Sequence, residues 1–404
     1  MKIGDSDKLM QNSNHQKPLK IGLFIDVYFP IVDGVVRVVD NYAKGLRKHN
    51  VELTVFCPKI KNGHLFKCEY PVFRTNSLRV IGFEYPVPIP KLTKGLKKEL
   101  MEGEYDLFHV HSPFYEGRYA LKIGRKLKIP VIATFHSKYY DDFLQITKSK
   151  FIAKRLTRYI VKFFEKCDEV WAVNKSTKKT LSEYGFRGES HVMENGTHFD
   201  YPKEAENYRK ETREKLHIAE DENVLLFVGH LIWQKGIQLI LESLKLLKDQ
   251  GFKFKMIFAG EGGHEKQVHK LCEKLELTDQ VIFVGAIKEK EELQKIYACA
   301  DLFYFPSLYD TFSLVLREAS VMKIPSLLVK DSNCAEKTID NYNGYLAESN
   351  VESMAQRIKE IFADKDKLHV IGETASKTIP VTWDNILDTV KDRYLEIIEK
   401  NKQK

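Results

Sequence analysis

Short apolar runs alternate with amphipathic segments along the whole chain. Each run is long enough for a strand, and the apolar residues of the segment after it have helical spacing. The strand-like runs of the first half are KIGLFIDVYF, VELTVFCP, YDLFHVHS, IPVIATFHS, DEVWAVN and GESHVMENG. After a polar stretch at 200–222 the pattern starts again with VLLFVGHL, FKMIFAGEG, QVIFVGAI, DLFYFPS and IPSLLVK. This alternation predicts two Rossmann-like, doubly wound α/β domains that face a central cleft.

Unusual polar residues and glycines cluster where the predicted strands end. They are Asp33-Gly34, His109, His111, His136, Asn195-Gly196, His230, Glu261 and Asp310. Ligands of doubly wound sheets bind beyond the carboxyl ends of the strands, so we expect these residues to surround one site. No GxGxxG follows the first strand, which removes support for a dinucleotide oxidoreductase.

Composition sets the class of protein. The chain has 404 residues, 43% of them hydrophobic and 30% charged. No run approaches the ~18 apolar residues of a transmembrane helix. Residues 1–18 are polar, lack the apolar core of a signal peptide, and are predicted to be a disordered lead-in. The six cysteines are scattered and include no CxxC pair, so neither a disulfide framework nor a cysteine zinc site is expected. This pattern is typical of a protein in a reducing compartment such as the cytoplasm.

Charge is distributed unevenly between the two halves. Residues 1–200 contain 34 basic and 22 acidic residues, a net charge of +12, whereas the remainder contains 30 and 34, a net charge of −4. We therefore expect only the first half to meet an anionic partner.

The segment FVGHLIWQKGIQLILESLKLL (227–247) reads as a strand, a loop and a long helix. His230 and Lys235 flank the loop, and Gly236 opens the helix. Cationic side chains beside a helix N-terminus form an anion site. The alternative is a solvated loop lysine and a hydrogen-bonded histidine at a strand end.

The corresponding loop of the first half is PIVDGVVRVV (30–39). Gly34 permits a backbone approach that a side chain would block, and the helix after it should offer free N–H groups. The alternative is an ordinary strand-to-helix turn.

The segment SLYDTFSLVLREAS (307–320) carries two acids on a strand-to-helix loop and the helix that follows. The N–H groups near Phe312, Ser313 and Leu314 would point at a phosphate. Asp310 would accept hydrogen bonds from sugar hydroxyls, and Glu318, about two turns into the helix, would bind the vicinal hydroxyls of a ribose. The alternative is that both acids are surface charges near a helix N-terminus.

Together these segments resemble the retaining GT-B glycosyltransferases of family 4, from about residue 19 to the C-terminus. GHLIWQKG matches the family pattern of Gly-Arg followed by Glu-Lys-Gly, and Asp310 and Glu318 match its two glutamates separated by seven residues. AGEGG, FVGAI, ENGTHF and HVHSPF stand where the family carries similar strings. The resemblance implies a GT-B fold with an acceptor-side domain at 19–205, a donor domain at 206–380 and a helix at 381–404 that crosses back to the first domain.

The resemblance also implies catalytic roles. Lys235 corresponds to the lysine that binds the donor diphosphate, and Asp310 to the acid that orients the transferred sugar. His136 corresponds to a histidine near that sugar. His230 replaces the usual arginine and loses a permanent bidentate cation, while Asp310 is one methylene shorter than the usual glutamate.

Three further residues correspond to positions that bind the nucleotide part of the donor. Glu318 corresponds to the acid that holds the ribose, Gly34 to the glycine whose backbone approaches the diphosphate, and Ile287 to the residue whose backbone meets the base. We expect a nucleotide-sugar donor, UDP-glucose, with no metal and no other cofactor. The leaving diphosphate would be stabilised by cations and helix N–H groups.

The acceptor is expected on the basic half. Residues 148–167, KSKFIAKRLTRYIVKFFEKC, form a predicted amphipathic helix with a basic arc and an apolar arc. Such a helix is typical of docking to an anionic membrane surface, here the inner face of the cell membrane. The alternative is that the apolar arc packs on its own domain and the basic arc is merely solvated. TFHSKYYDDF resembles the corresponding stretch of bacterial enzymes that glycosylate diacylglycerol, which favours a membrane lipid acceptor.

Other functions remain open at this point. A precursor of capsule or exopolysaccharide on a lipid carrier is the second acceptor. A nucleotide-sugar epimerase and a non-catalytic sugar-binding protein are the other classes. Nucleic acid is not expected as a partner, because no RNA- or DNA-binding motif accompanies the basic residues.

Overall fold

A computed structural model of the chain describes residues 17–80 and 85–403. Most of the predicted lead-in at 1–18 lies outside the described residues. The first part of the chain forms β1 (Leu19–Phe24), α1 (Gly34–Gly45), β2 (Val51–Pro58), β3 (Val72–Thr75), β4 (Ser77–Leu78), β5 (Val87–Pro88), α2 (Leu96–Glu102), β6 (Leu107–Val110), α3 (Tyr115–Leu127), β7 (Val131–Phe135), α4 (Tyr139–Thr147), α5 (Lys150–Phe164), β8 (Glu169–Ala172), α6 (Lys175–Glu183) and β9 (Ser190–Val192).

The second part repeats the alternation after residue 200. Its elements are α7 (Ala205–Lys215), β10 (Val224–Val228), α8 (Ile237–Asp249), β11 (Lys255–Ala259), α9 (Glu265–Lys274), β12 (Val281–Gly285), α10 (Lys290–Ala298), β13 (Leu302–Phe305), α11 (Leu314–Val321), β14 (Ser326–Val329), β15 (Tyr345–Ala347), α12 (Val351–Phe362), α13 (Lys365–Thr378) and α14 (Trp383–Lys402).

The strands form two large parallel sheets. One has seven strands in the order β3-β2-β1-β6-β7-β8-β9, and the other has six in the order β12-β11-β10-β13-β14-β15. A separate antiparallel pair consists of β4 and β5. The predicted α/β class with Rossmann-like sheets is confirmed, since the strand-like runs of the sequence form the strands of these sheets and most of them are buried.

The chain divides into two compact units. Within the described residues, unit 1 comprises the chain up to Val32, Val39–Ile132 and the chain from Lys391 onwards. Unit 2 comprises Asp33–Val38 and Ala133–Val390. Strand β10 of unit 2 pairs with β11 on one side and β13 on the other. Because these strands are parallel, the loops that follow them lie at the same edge of the sheet.

Unit 1 contains two buried acids, Asp26 after β1 and Glu116 in the first turn of α3. The backbone N–H of Glu116 donates to Asp26 Oδ1 at 2.9 Å, and the Thr75 hydroxyl donates to Glu116 Oε1. The remaining oxygens, Asp26 Oδ2 and Glu116 Oε2, are buried without a hydrogen-bond partner. Burial raises the pKa of Asp26 to about 7, and burial together with Asp26 raises the pKa of Glu116 to about 8.

The last chain segment of unit 1 begins at Lys391 and contains the end of α14. Tyr394 on this helix is buried, and its hydroxyl lies 2.6 Å from His109 Nδ1 at the end of β6. His109 therefore contacts the last helix of the chain.

Helix α5 is shorter than the predicted 148–167, and only part of its apolar arc is exposed. The hydroxyl of Ser149 caps it by accepting the Ile152 N–H at 3.4 Å. Phe163 is fully buried, so in the C-terminal half of the helix the apolar arc packs on its own domain. The exposed apolar side chains are Ile146 on α4 and Phe151, Ile152 and Tyr159 on α5.

No helix in the described residues has both the length and the apolar composition required to cross a bilayer.

Candidate active site

The loop between β13 and α11 carries Asp310 in a tight turn. The hydroxyl of Ser307 accepts the N–H groups of Tyr309 at 3.3 Å and Asp310 at 3.2 Å. It also donates to Asp310 Oδ2 at 2.6 Å. These bonds fix the carboxylate of Asp310 relative to the end of β13.

Lys235 reaches the same carboxylate from the loop after β10. It ends a short 3₁₀ turn, Trp233–Lys235, and Gly236 follows with a φ of 77°. A Cβ atom at Gly236 would lie 2.4 Å from the carbonyl oxygen of Pro306, so only glycine lets this turn approach the end of β13. Lys235 Nζ then lies 2.7 Å from Asp310 Oδ1, with the two side chains only 12% and 16% exposed.

The structure thus brings together two predicted site residues from segments 75 positions apart. The ammonium group of Lys235 has three N–H donors, and Asp310 occupies one of them. The other donors remain available to a second anion. Burial of the pair keeps bulk water away and strengthens its electrostatic interactions.

The N-terminus of α11 follows Asp310 at the end of the same loop. Ser313 is its N-cap residue, and no side chain caps the helix. The Ser313 hydroxyl is buried without a hydrogen-bond partner, and the residue is 9% exposed. A helix N-terminus carries a partial positive charge, so an anion placed here would be stabilised. The anion could also accept a hydrogen bond from the Ser313 hydroxyl. Phe312 is buried and Leu314 half-buried around this point.

Glu318 lies on α11 and is held by Tyr297. It is the fifth residue of the helix, so it is just over one turn from the N-terminus rather than the predicted two. The buried Tyr297 hydroxyl lies 3.1 Å from both Glu318 Oε2 and the carbonyl oxygen of Val315. Burial raises the pKa of Glu318, while the hydrogen bond from Tyr297 and the charge of Arg37 oppose this rise. The half-buried carboxylate keeps one oxygen for another partner.

Residues 33–38, which include the start of α1, belong to unit 2. We expected free N–H groups after Gly34. The N–H group of Val36 is not free, because it donates to Asp33 Oδ1 at 2.7 Å. Burial raises the pKa of Asp33, and its hydrogen bonds with Val36 and Val35 and the charge of His230 oppose the rise. A side chain at Gly34 would meet no atom of the protein within 4 Å, which leaves open space at this backbone position.

His136 lies at the end of β7, next to the loop of Asp310. Its carbonyl oxygen accepts the Thr311 hydroxyl at 2.6 Å. Burial lowers the pKa of the imidazole to about 3, so His136 is neutral at physiological pH. His230, by contrast, is exposed after β10.

Three further contacts hold the Asp310 loop to the segments after β7 and β8, and sequence reasoning did not predict them. The Lys138 ammonium donates to the carbonyl oxygen of Leu308 at 2.6 Å. The Tyr309 hydroxyl donates to Asp142 Oδ1 at 2.6 Å. The side-chain amide of Asn174 donates to the carbonyl oxygen of Thr311 at 2.8 Å. The only available signal was the unusual string TFHSKYYDDF, which contains two of these partners.

Ile287 lies two residues beyond β12 and packs half-buried against the core of the six-stranded sheet. It therefore shares the carboxyl edge of that sheet with Lys235 and Asp310. Within the described part of the chain, no group of three or more His, Cys, Asp or Glu side chains could hold a metal ion.

Two family models match the chain. The model described as Glycosyl transferases group 1 matches residues 208–378, and the model described as Glycosyltransferase Family 4 matches residues 32–201. Among curated proteins, alpha-monoglucosyldiacylglycerol synthase of Streptococcus pneumoniae is 27% identical over 395 residues, which cover 96% of this chain and 88% of the relative. The alpha-monoglucosyldiacylglycerol synthase of Acholeplasma laidlawii is 24% identical, with 96% and 99% covered.

Solved structures share the fold at lower identity. The crystal structure of Anabaena Alr3699/HepE in complex with UDP and glucose has a TM-score of 0.74 and 19% identity, with 93% of this chain and 99% of that chain covered. Sucrose-phosphate synthase from Thermosynechococcus elongatus has a TM-score of 0.77 and 19% identity, with 95% and 100% covered. The solved structures show the shared fold, and the two family models, which together match residues 32–201 and 208–378, show that the chain belongs to the family 4 glycosyltransferases of the GT-B fold.

Proposed function

We propose that this glycosyltransferase is a retaining hexosyltransferase that moves glucose from UDP-glucose to a membrane lipid such as diacylglycerol. The observation that carries the proposal is the convergence of the buried Lys235–Asp310 pair with the uncapped N-terminus of α11. A nucleotide diphosphate sugar offers an anion and hydroxyl groups at adjacent positions, which suits this arrangement. The names of the two alpha-monoglucosyldiacylglycerol synthases and the UDP bound to Alr3699/HepE support the choice of donor and acceptor.

The chemistry follows from charge that develops on the leaving group. Breaking the bond between the anomeric carbon and the diphosphate leaves negative charge on phosphate oxygens. Lys235 and the N–H groups at the start of α11 are fixed in place and would stabilise this charge. Neutral His136 would donate or accept one hydrogen bond without placing a competing charge beside the sugar.

Asp310 orients the sugar in this proposal. Ser307 and Lys235 hold its carboxylate from two sides, at 2.6 and 2.7 Å. Sugar hydroxyls would therefore donate to a carboxylate that is already oriented. We do not assign Asp310 the role of a covalent nucleophile, and retention of configuration is proposed without a double displacement.

The nucleotide would extend from the diphosphate towards Glu318 and Ile287. Glu318 would accept the ribose hydroxyls with the carboxylate that Tyr297 orients. Ile287 would present its backbone to the base at the carboxyl edge of the same sheet. The open space at Gly34 would admit a phosphate beside the start of α1.

The acceptor proposal rests on the exposed surface of α4 and α5. Four large apolar side chains are exposed there, with Ile146 and Phe151 exposed by 78% and 74%. Exposed basic residues surround them: Lys148, Lys150, Lys154, Arg155, Arg158 and Lys162. Exposed apolar groups within a basic surface suit an anionic bilayer, in which the charges stay at the head groups. The protein would then act as a peripheral enzyme on the inner face of the cell membrane.

The activity is tested by supplying radiolabelled UDP-glucose with vesicles that contain diacylglycerol. The expected product is a lipid glucoside with an α anomeric linkage, the configuration of the donor, which proton NMR identifies. A labelled product in parallel vesicles that contain a polyprenyl-linked saccharide precursor, with none in those that contain diacylglycerol, would favour the second acceptor. Conversion of the nucleotide sugar without release of UDP would identify an epimerase, and absence of both reactions would sink the proposal.

Membrane docking has its own matched test. Lys154, Arg158 and Lys162 are replaced together by Glu, and the control replaces the exposed lysines of α9, namely Lys266, Lys270 and Lys274, by Glu. Each basic residue near an anionic surface contributes about 1 kcal/mol, so losing three should weaken vesicle binding by about 100-fold. Equal binding by both triple variants would show that the basic arc of α5 is only solvated.

A further inference from the structure

Arg317 is a buried arginine directly behind the turn that begins α11. It is 3% exposed. Its guanidinium Nη1 donates to the carbonyl oxygens of Phe312 and Ser313, the latter at 3.2 Å. Its Cζ also lies 3.6 Å from the centre of the Phe312 ring. The side chain therefore contacts the turn but does not face the open side of the site.

The turn needs this support because its backbone is unusual. Ser313 has a φ of 58°, in the left-handed region that residues other than glycine rarely adopt. Such a residue persists only where its surroundings hold it in place. The guanidinium donates to both carbonyl groups of the turn. The N–H group of each of these two peptide bonds points opposite to its carbonyl group, and so away from the guanidinium.

The guanidinium also places a positive charge inside the protein without an ion-pair partner among the described residues. No carboxylate among the described residues lies within ion-pair distance of it. Glu194 and Glu336 act on it only at longer range. Glu194 instead pairs with Lys337 at 2.5 Å, and Glu336 accepts the Lys175 N–H at 3.1 Å. Burial lowers the pKa of Arg317 to about 10, so it keeps its charge at neutral pH.

We propose that Arg317 is a positioning residue for the donor phosphates, because it fixes the turn at Ser313 and places a permanent positive charge behind it. This inference rests on the proposed function, in which the donor is a nucleotide diphosphate sugar. Arg317 does not touch the donor. It acts through the N–H groups and hydroxyl of the turn, and through its charge in surroundings that exclude water.

The test compares Arg317→Met and Arg317→Lys with the parent and with Arg209→Met. Arg209 is a suitable control because it also donates to backbone carbonyls, those of Ala298 and Ala300, in another part of unit 2. Titration calorimetry measures the affinities for uridine, UDP and inorganic pyrophosphate, and thermal melting checks that each variant is folded.

We expect Arg317→Met to lower the affinity for UDP and for pyrophosphate by about tenfold or more. This is the typical effect of losing one hydrogen bond with a charged group, here a bond between the turn and a phosphate. The affinity for uridine should stay within about twofold of that of the parent. Arg317→Lys keeps the charge but has no planar fork, so it should fall between the parent and Met. In turnover assays the KM for the nucleotide sugar should rise more than kcat falls. Arg209→Met should match the parent in every binding measurement.

Other outcomes separate the two levels of the proposal. Unchanged UDP affinity in folded Arg317→Met or Arg317→Lys overturns the inference, and so does an equal loss of uridine and UDP affinity. A parent that binds pyrophosphate but not UDP keeps the inference and changes the base of the donor. A parent that binds neither overturns the proposed function itself.

Discussion

Replacing Glu116 by Gln should change how the stability of unit 1 depends on pH. Glu116 is fully buried, its Oε2 lacks a hydrogen-bond partner, and its pKa rises to about 8 because of burial and the nearby Asp26. Glutamine keeps the oxygen that accepts from Thr75 and replaces the unpartnered oxygen by an NH₂ group. That group cannot ionise.

The direction follows from proton binding. The pKa of Glu116 is higher in the folded chain than the ordinary 4.5, so the folded state binds more protons between these two values. The stabilisation is complete below about 4.5 and is lost as pH rises through about 8. Asp26, whose pKa rises from 3.8 to about 7, acts in the same direction. The parent should therefore lose stability between pH 5 and pH 8.5.

The size of the effect follows from the same values. One pKa unit corresponds to 1.36 kcal/mol, so the Glu116 shift predicts a loss of roughly 4 kcal/mol between pH 5 and pH 8.5. Water entry and side-chain relaxation lower the cost of a buried charge, and we expect about 2–4 kcal/mol. In Glu116→Gln this part of the pH dependence should disappear.

Hydrogen–deuterium exchange is the suitable assay. All three tryptophans of the chain, Trp171, Trp233 and Trp383, lie in unit 2, so their fluorescence does not report on unit 1. Exchange of the amides of β1 and α3, corrected for the intrinsic pH dependence of exchange, gives the free energy of opening at each pH. Glu102→Gln, an exposed glutamate on α2, is the control and should keep the slope of the parent. Identical slopes for Glu116→Gln and the parent would refute the reasoning.

Three further outcomes concern the active site. Lys235→Ala should lower kcat by on the order of 100-fold, measured as release of UDP, and parent-like turnover would mean that the diphosphate lies elsewhere. Tyr297→Phe removes the hydroxyl that orients Glu318, so the KM for UDP-glucose should rise severalfold and kcat should change little; the reverse pattern would contradict a role in ribose binding. His230→Arg introduces the permanent, bidentate cation of the family pattern, so this variant should keep its turnover. A complete loss of activity in His230→Arg would instead show that an uncharged imidazole is required.

The positions of Lys235 and Asp310 after two strands were predictable, because the ends of strands are visible in the apolar pattern. Lys235 follows β10 and Asp310 follows β13, and both were expected at the carboxyl edge of a parallel sheet. Their direct pairing was not predictable, since the pattern does not tell which strands are neighbours. Only the observed pairing of β10 with β13 brings the two loops within hydrogen-bond distance.

Two other features show where periodicity fails. The arcs of α5 were identified from helical spacing, but spacing does not show how far along a helix the packing extends, and Phe163 is buried while Tyr159 is exposed. The buried position of Glu116 carries no sequence signal, because a single glutamate early in a helix usually faces solvent. The cap at Asp33 could have been predicted, since aspartate is a preferred N-cap residue.

The loop of Asp310 depends on side chains that precede it by more than 130 positions. Lys138 and Asp142, which follow β7, and Asn174, which follows β8, hold its residues. Anyone who exchanges halves between related enzymes by joining them near residue 205 would therefore separate the loop from its supports. Such a hybrid would combine two intact sheets with a mismatched loop, and it would lose turnover without losing its fold. Exchanges that carry residues 136–180 together with 206–380 would keep the loop with its supports, but they would also replace β8 within the seven-stranded sheet.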